Sequence, residues 1–269
     1  MKILKFKKTT KGTYKVFLDN NQTISLYEDV IINNKLLLTK EIKDDELEDL
    51  IKQNNDMHVY SIAINYISIR MRSIKELKEY LKRKQVSENV IEETVDKLVK
   101  NGYLNDFNFA KAYVNDQLLI TNKGPLKIKQ ELVKFGVDNE IINEVIDDVD
   151  KELIKEKLSN LMDKQIKLKK GSTNVVKIKL LNYFHNIGYS KEDIINELSN
   201  HHFKLDVEHL KKEYNKLKLK YSKKYDESEL EHIIKTKLYQ KGYTADEINK
   251  IKTEEWTAPL RVDIIKKAV

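Results

Sequence analysis

Three stretches of this 269-residue chain can be laid over one another, and a fourth fits more loosely. Centring them on Gln85, Gly136, Gly188 and Gly242, spaced 51, 52 and 54 residues apart, brings the same chemistry to the same offsets. Eight residues before each centre stands Leu77, Ile128, Leu180 or Ile234, and four before it Leu81, Leu132, Phe184 or Leu238. One residue after comes Val86, Val137, Tyr189 or Tyr243, and six after comes Ile91, Ile142, Ile194 or Ile248. Between these, two after the centre, is a helix-capping type every time: Ser87, Asp138, Ser190 or Thr244. Each copy therefore reads as a helix, a turn of about three residues and a capped second helix. The fold class that follows is mainly α, an elongated tandem array of three-helix repeats, and arrays of this kind suit long or repetitive partners.

The start of the chain differs in kind. Ile3–Phe6, Tyr14–Leu18 and Gln22–Leu26 alternate loosely and are separated by turn residues, which predicts a three-strand β meander. Such a sheet needs cover for its apolar face, and helices over 27–33 and 44–53 can supply it. The expected organisation is a β-rich cap over 1–56 and three-helix repeats over 57–106, 107–149 and 150–202. A divergent fourth repeat with a C-terminal cap, Trp256 to Val269, fills 203–269. Ser73 followed by Glu76 is a capping box that starts one helix, Asn101-Gly102 ends another, and Asn105 or Asp106 caps the next. Gly124-Pro125 opens a further helix with proline at the permitted first position.

Composition removes most chemistries. The chain has no cysteine, which excludes disulfides and zinc ribbons and suits a reducing cytosol. No apolar run reaches membrane-spanning length, and the first five residues are too short and too charged for a signal peptide, so a cytoplasmic protein without a membrane partner is expected. No glycine-rich phosphate loop occurs. Among the histidines only His202 and His209 could share a helix face with an acid, Asp206, and Asp206 reads better as a cap than as a metal ligand. With no carboxylate pair singled out either, the expectation is a protein with no enzymatic activity, cofactor or metal.

Fifty basic residues stand against 43 acidic ones, so the net charge of +7 is modest and no segment is a basic arm; weak contact with single- or double-stranded DNA is permitted and not demanded. The arginines say more. Only four occur, and Arg70, Arg72 and Arg83 surround one helix junction in the first repeat, where a planar five-donor fork can grip a carboxylate or phosphate. The alternative is that they cap helix ends and pair with Glu76 or Glu79. Lys82 beside Arg83, and Lys123, Lys127 and Lys134 in the second repeat, are candidates for a basic stripe; Lys127 and Lys134, seven apart, share a helix face. Tyr103, Tyr113, Tyr189 and Tyr243 are assigned to inter-helix packing.

Three strings carry a family likeness. Tyr66 through Arg70, Arg72, Ser73 and Glu76 to Leu81 is the first; Leu98 through Gly102, Tyr103 and Asp106 to Phe109, Ala110, Ala112 and Tyr113 is the second; Lys123-Gly124-Pro125 through Ile128 to Glu131-Leu132 is the third. In this order and spacing they closely resemble the RecX family of bacterial recombinase regulators. Two departures stand out: Asn115-Asp116-Gln117 where many relatives carry an arginine, and Gln85 in place of a corner glycine. The resemblance implies a monomeric, non-enzymatic and mostly inhibitory modulator of RecA. Such a protein lodges in the helical groove of the RecA–DNA filament and limits ATP hydrolysis, strand exchange and co-protease function in DNA repair and the SOS response. The rival reading is a helix-turn-helix protein that binds DNA directly, but the second helices at 90–96 and 138–144 are acidic where a recognition helix would present Arg, Lys, Asn or Gln.

Overall fold

The computed structural model describes residues 1–10 and 12–255. Its first elements are β1 (Ile3–Lys8), β2 (Thr13–Leu18) and β3 (Thr23–Tyr27), an antiparallel sheet in that order, with Val16 opposite both Phe6 and Ile24. Val16, Leu18 and Leu26 point to one face, as the two-residue period of a strand requires. Against that face pack α1 (Glu28–Asn33), α2 (Leu36–Thr39) and the first turns of α3 (Leu47–Ser68), through Val30, Ile31, Leu36 and Leu50. The expected cover helix over 44–53 is thus the beginning of one 22-residue helix that runs on without a break. No glycine or proline interrupts it, and Asn54, a potential cap, instead spends its amide on strand β3, accepting from the Tyr27 amide (2.9 Å) and donating to the Ser25 carbonyl (3.0 Å). The same helix turns Leu50 to the sheet and Val59 and Ala63 to the next core.

The remaining helices are α4 (Ile74–Arg83), α5 (Glu88–Lys100), α6 (Asp106–Ile120), α7 (Pro125–Lys134), α8 (Asn139–Asp147) and α9 (Lys151–Leu168), followed by α10 (Thr173–Asn186), α11 (Lys191–Asn200), α12 (Val207–Tyr221), α13 (Glu227–Gln240) and α14 (Ala245–Glu255). The molecule is mainly helical. It divides into two units, one of Met1–Asn115 with Gln130–Val145, the other of Asp116–Lys129 with the chain from Ile146 onward. In the first, α3–α5 close around Ala63, Leu77, Leu81, Ile91 and Leu98. In the second, α9–α11 close around Leu158, Met162, Leu180, Phe184, Tyr189 and Ile194, and α12–α14 around Leu210, Ile234, Leu238, Tyr243 and Ile248. The segment from Trp256 to Val269, expected as a terminal cap, lies outside the described residues.

Every residue of the repeat that was expected in a core is buried except Val86, which is half-buried. The reason is one turn made four times. The amides of Val86, Val137, Tyr189 and Tyr243 donate to the carbonyls of Leu81, Leu132, Phe184 and Leu238 at 3.0–3.3 Å. The preceding amides, of Gln85, Gly136, Gly188 and Gly242, donate to Lys82, Val133, His185 and Tyr239 at 2.8–3.0 Å. This double bond pattern closes a helix with a left-handed residue and brings the side chains of its two ends together, so the recurring pair at minus four and plus one is the hydrophobic contact of that turn. The caps behind it vary. Ser190 accepts from the Asp193 amide and Thr244 from that of Glu247, Asp138 accepts from Glu140, and Ser87 makes no side-chain cap. A fifth such turn, at Asn101-Gly102, leaves Tyr103 62% exposed, which corrects its expected packing role: it occupies the hydrophobic position of the turn but faces water.

These turns are also docking points. In the first unit the capping hydroxyl of Ser73 donates to the carbonyl of Phe135, beside Gly136, at 2.7 Å. In the second, Ser172 Oγ donates to the carbonyl of Lys241, beside Gly242, at 3.2 Å. Where glycine replaces serine, the Gly124 amide donates to Ile187 and that of Leu126 to Gly188, at 2.8 and 2.9 Å. The first helical amide is handled to match. Ile74 donates to Asp106 at 2.8 Å and Thr173 to Glu247 at 3.2 Å, whereas Pro125 has no amide hydrogen and receives no carboxylate.

Candidate partner-binding site

The linker between α3 and α4 builds the arginine cluster. Ser73 and Glu76 form the expected capping box: the Glu76 amide donates to Ser73 Oγ at 3.1 Å and the Ser73 amide to Glu76 Oε2 at 3.2 Å. Holding Glu76 there places its other oxygen against two guanidinium groups. Arg70 reaches Oε1 at 2.5 Å and also donates to the Met71 carbonyl at 2.8 Å, and Arg72 reaches Oε1 at 3.4 Å. The two arginines nonetheless differ. The side chain of Arg72 is only 14% exposed and lies 4.3 Å over the Tyr66 ring, which stacks on Tyr80 with centroids 3.9 Å apart, and Lys84 lies over the Tyr80 ring at 5.6 Å. Arg72 is therefore an internal element of a cation–ring–ring–cation stack. Arg70 is 49% exposed and keeps a free edge toward solvent.

Beside this stack runs a groove of about 480 Å³ lined by Tyr66, Lys75, Glu76, Glu79, Arg83, Tyr113, Glu131, Lys134 and Phe135. Its floor is aromatic: Phe135 meets Phe109 and Tyr113 edge-on at 5.4 and 5.2 Å. Its rim is charged in both signs. Lys75 Nζ donates to the Lys134 carbonyl at 3.0 Å, and Tyr113 donates its hydroxyl to Glu131 at 2.8 Å. Burial, reinforced by that carboxylate, pushes the Tyr113 phenol well above its ordinary value, so it stays a donor at any physiological pH. Tyr113, Phe135 and Glu131 were not candidates from the chain alone; the Phe109–Tyr113 pair, four residues apart on one helix, was the available signal.

Of the seven basic candidates, Arg70, Arg72, Arg83 and Lys134 belong to the arginine cluster and the groove, and Lys82 pairs with Glu88 at 3.1 Å. Lys123 and Lys127 belong to the second unit. There Lys123 donates to Gln117 at 2.9 Å, and the backbone of Lys127 packs against Gly188. Asp206 is a helix cap that accepts from the His209 amide at 2.9 Å, and among the described residues no group of His, Cys, Asp or Glu is arranged to hold a metal ion. No helix of the described residues is long and apolar enough to cross a membrane. The groove and its rim are thus mixed in charge and floored by aromatic rings.

Residues 60–98 match the family model for the first three-helix domain of RecX, and residues 105–146 match that for the second. Proteins named regulatory protein RecX from Streptococcus thermophilus and Listeria monocytogenes are each 30% identical, over 92% and 91% of this chain and 97% and 92% of their own lengths. A crystal structure of regulatory protein RecX covers 74% of this chain and 99% of its own with a TM-score of 0.65; at 22% identity it speaks for the fold alone. A second, of RecX from Lactobacillus salivarius, covers 55% of this chain and 97% of its own at 27% identity with a TM-score of 0.53. With both three-helix domains matched and full-length relatives at 30% identity, the chain belongs to the RecX family.

Proposed function

We propose that this protein is a non-enzymatic, cytoplasmic, monomeric regulator that binds the RecA–DNA filament in its helical groove and lowers RecA's ATP hydrolysis, strand exchange and co-protease activity. Membership of the RecX family carries the reading. The helical repeats, taken as modules bounded at 57–106, 107–149, 150–202 and 203–269, offer recurring surface to a recurring partner. Within the first unit, the contact is assigned to the exposed edge of Arg70 together with Arg83 and Lys134 around the groove. Arg72 supports this surface from beneath.

The test is RecA ATPase on single-stranded DNA with and without the protein, followed by the Arg70→Ala, Arg83→Ala, Lys134→Ala triple variant. Inhibition by the wild type is expected, and truncating desolvated charge contacts worth about 2 to 5 kcal/mol should raise the inhibitory concentration by about 30-fold or more. An unchanged melting temperature keeps that loss from being a folding effect. Wild-type protein that leaves RecA turnover untouched overturns the function; full potency in the triple variant overturns the assignment of the surface.

A further inference from the structure

The last turns of α9 and α12 repeat a pattern that regulation through the groove does not use. Ile166-Lys167-Leu168-Lys169 and Leu217-Lys218-Leu219-Lys220 each turn the first aliphatic residue inward and leave the second 69% and 79% exposed between lysines. Each carries a lysine over a tyrosine ring, Lys169 over Tyr183 at 5.1 Å and Lys220 over Tyr221 at 5.3 Å. Beyond α12 the surface continues with Lys223, Lys224 and Tyr225, whose ring lies 6.2 Å from that of Tyr221. No acidic residue interrupts the chain between Glu213 and Asp226. Among the described residues Lys218, Lys223 and Lys224 have no ion-pair partner.

The negative end of a helix accounts for lysines in a last turn. It does not account for a leucine held in water between them near the ends of two helices, or for the adjoining rings. Cations spaced along a helix end with apolar and aromatic side chains among them match a strand that offers phosphates and unstacked bases together. A bilayer would call for a continuous apolar face, which one leucine per helix end does not make. We propose that the ends of α9 and α12 bind single-stranded nucleic acid, the lysines meeting phosphates and Leu168, Leu219 and Tyr225 meeting bases. The proposal goes beyond the regulator reading and does not depend on it.

Fluorescence anisotropy of a labelled thymidine oligonucleotide with the full chain tests it. For the variant carrying Lys218→Gln, Lys220→Gln, Lys223→Gln and Lys224→Gln, affinity should fall by about 10-fold or more at about 50 mM salt. Its logarithmic salt slope should become shallower by about 2 to 3, since each phosphate that a lysine neutralises on a single strand adds roughly 0.7 to that slope. Leu219→Ser with Tyr225→Ala should weaken binding several-fold and leave the slope alone. Arg70→Ala with Arg83→Ala should change neither, which separates this site from the groove. Because the lysines are exposed, an unchanged circular dichroism spectrum is expected throughout. Unaltered affinity in the quadruple variant overturns the site. Equal binding to a duplex of the same length overturns the single-strand assignment, and tighter binding to phosphatidylserine vesicles than to the oligonucleotide overturns the choice of partner.

Discussion

Gln85 and Gly188 occupy the same corner of the repeat with the same sign of backbone angle, φ of 62° and 98°, yet one carries a long side chain and the other none. At Gln85 the corner is exposed. At Gly188 it is buried under the start of α7: an added Cβ would overlap Lys127 backbone and Cβ, and one added at Gly124 would overlap the Gly188 peptide. The left-handed angle by itself only favours glycine, at a cost of about 1 to 2 kcal/mol for another residue. What demands glycine is the helix start that docks on the corner.

That contrast can be broken by substitution. Gly188→Ala should be the most damaging change, costing about 4 kcal/mol or more, because strain adds to a backbone collision that no side-chain movement relieves. Urea unfolding followed by circular dichroism would measure it, and a loss under about 1 kcal/mol would mean that angle alone sets the residue. Gly136→Ala comes next, at about 1 to 3 kcal/mol. There the built Cβ meets Lys75 side-chain carbons at 2.7 and 2.8 Å, and part of that chain can swing aside. Gln85→Gly should stay within about 1 kcal/mol of the wild type, relief of strain being offset by a more flexible unfolded chain.

The two carboxylates that hold helix starts sharpen the comparison further, since they respond to acid in opposite senses. Burial raises the Asp106 carboxyl against the pull of the Ile74 amide, so the folded state holds that proton more tightly; its contribution is greatest in acid and is lost as pH rises through the raised value. For Glu247, burial would raise the carboxyl, but hydrogen bonds from Thr173 and Thr244 outweigh it and hold the group below its ordinary value. Its contribution is present above the usual glutamate range and is lost as pH falls through the folded value. Hydrogen exchange across pH 3 to 6, corrected for intrinsic rates, should show the amide of Thr173 loosening toward acid while that of Ile74 does not. Asp106→Asn and Glu247→Gln should each flatten only its own profile, a change of about 1 kcal/mol.

The individual helices were legible in the chain because the turn that ends α4, α7, α10 and α13 forces an apolar pair at a fixed spacing, a local rule that one sequence can display four times. The capping box at Ser73 was legible for the same reason. The docking of helix starts on corners was not, because its partners lie 62 to 69 residues apart and use mostly backbone atoms, which leave no mark on residue type beyond the glycines and Pro125. Nor could the chain separate Arg70 from Arg72. Both are equally basic and lie within six residues of Glu76, and only the placement of Tyr66 and Tyr80 turns one inward and leaves the other half free.

The bond from Ser73 to Phe135 gives the molecule a direction in time. A ribosome releases the chain from its amino end, so α4 is complete, capping box included, while Phe135, which will accept its serine hydroxyl, is still 52 positions from being made. The same delay recurs at Ser172, which waits for Lys241. Each helix start thus emerges with an unfilled contact that the next stretch of chain fills on arrival. Nascent chains stalled before Phe135 should accordingly hold α4 less firmly than those stalled just after it has cleared the exit tunnel, although no residue of α4 differs between them.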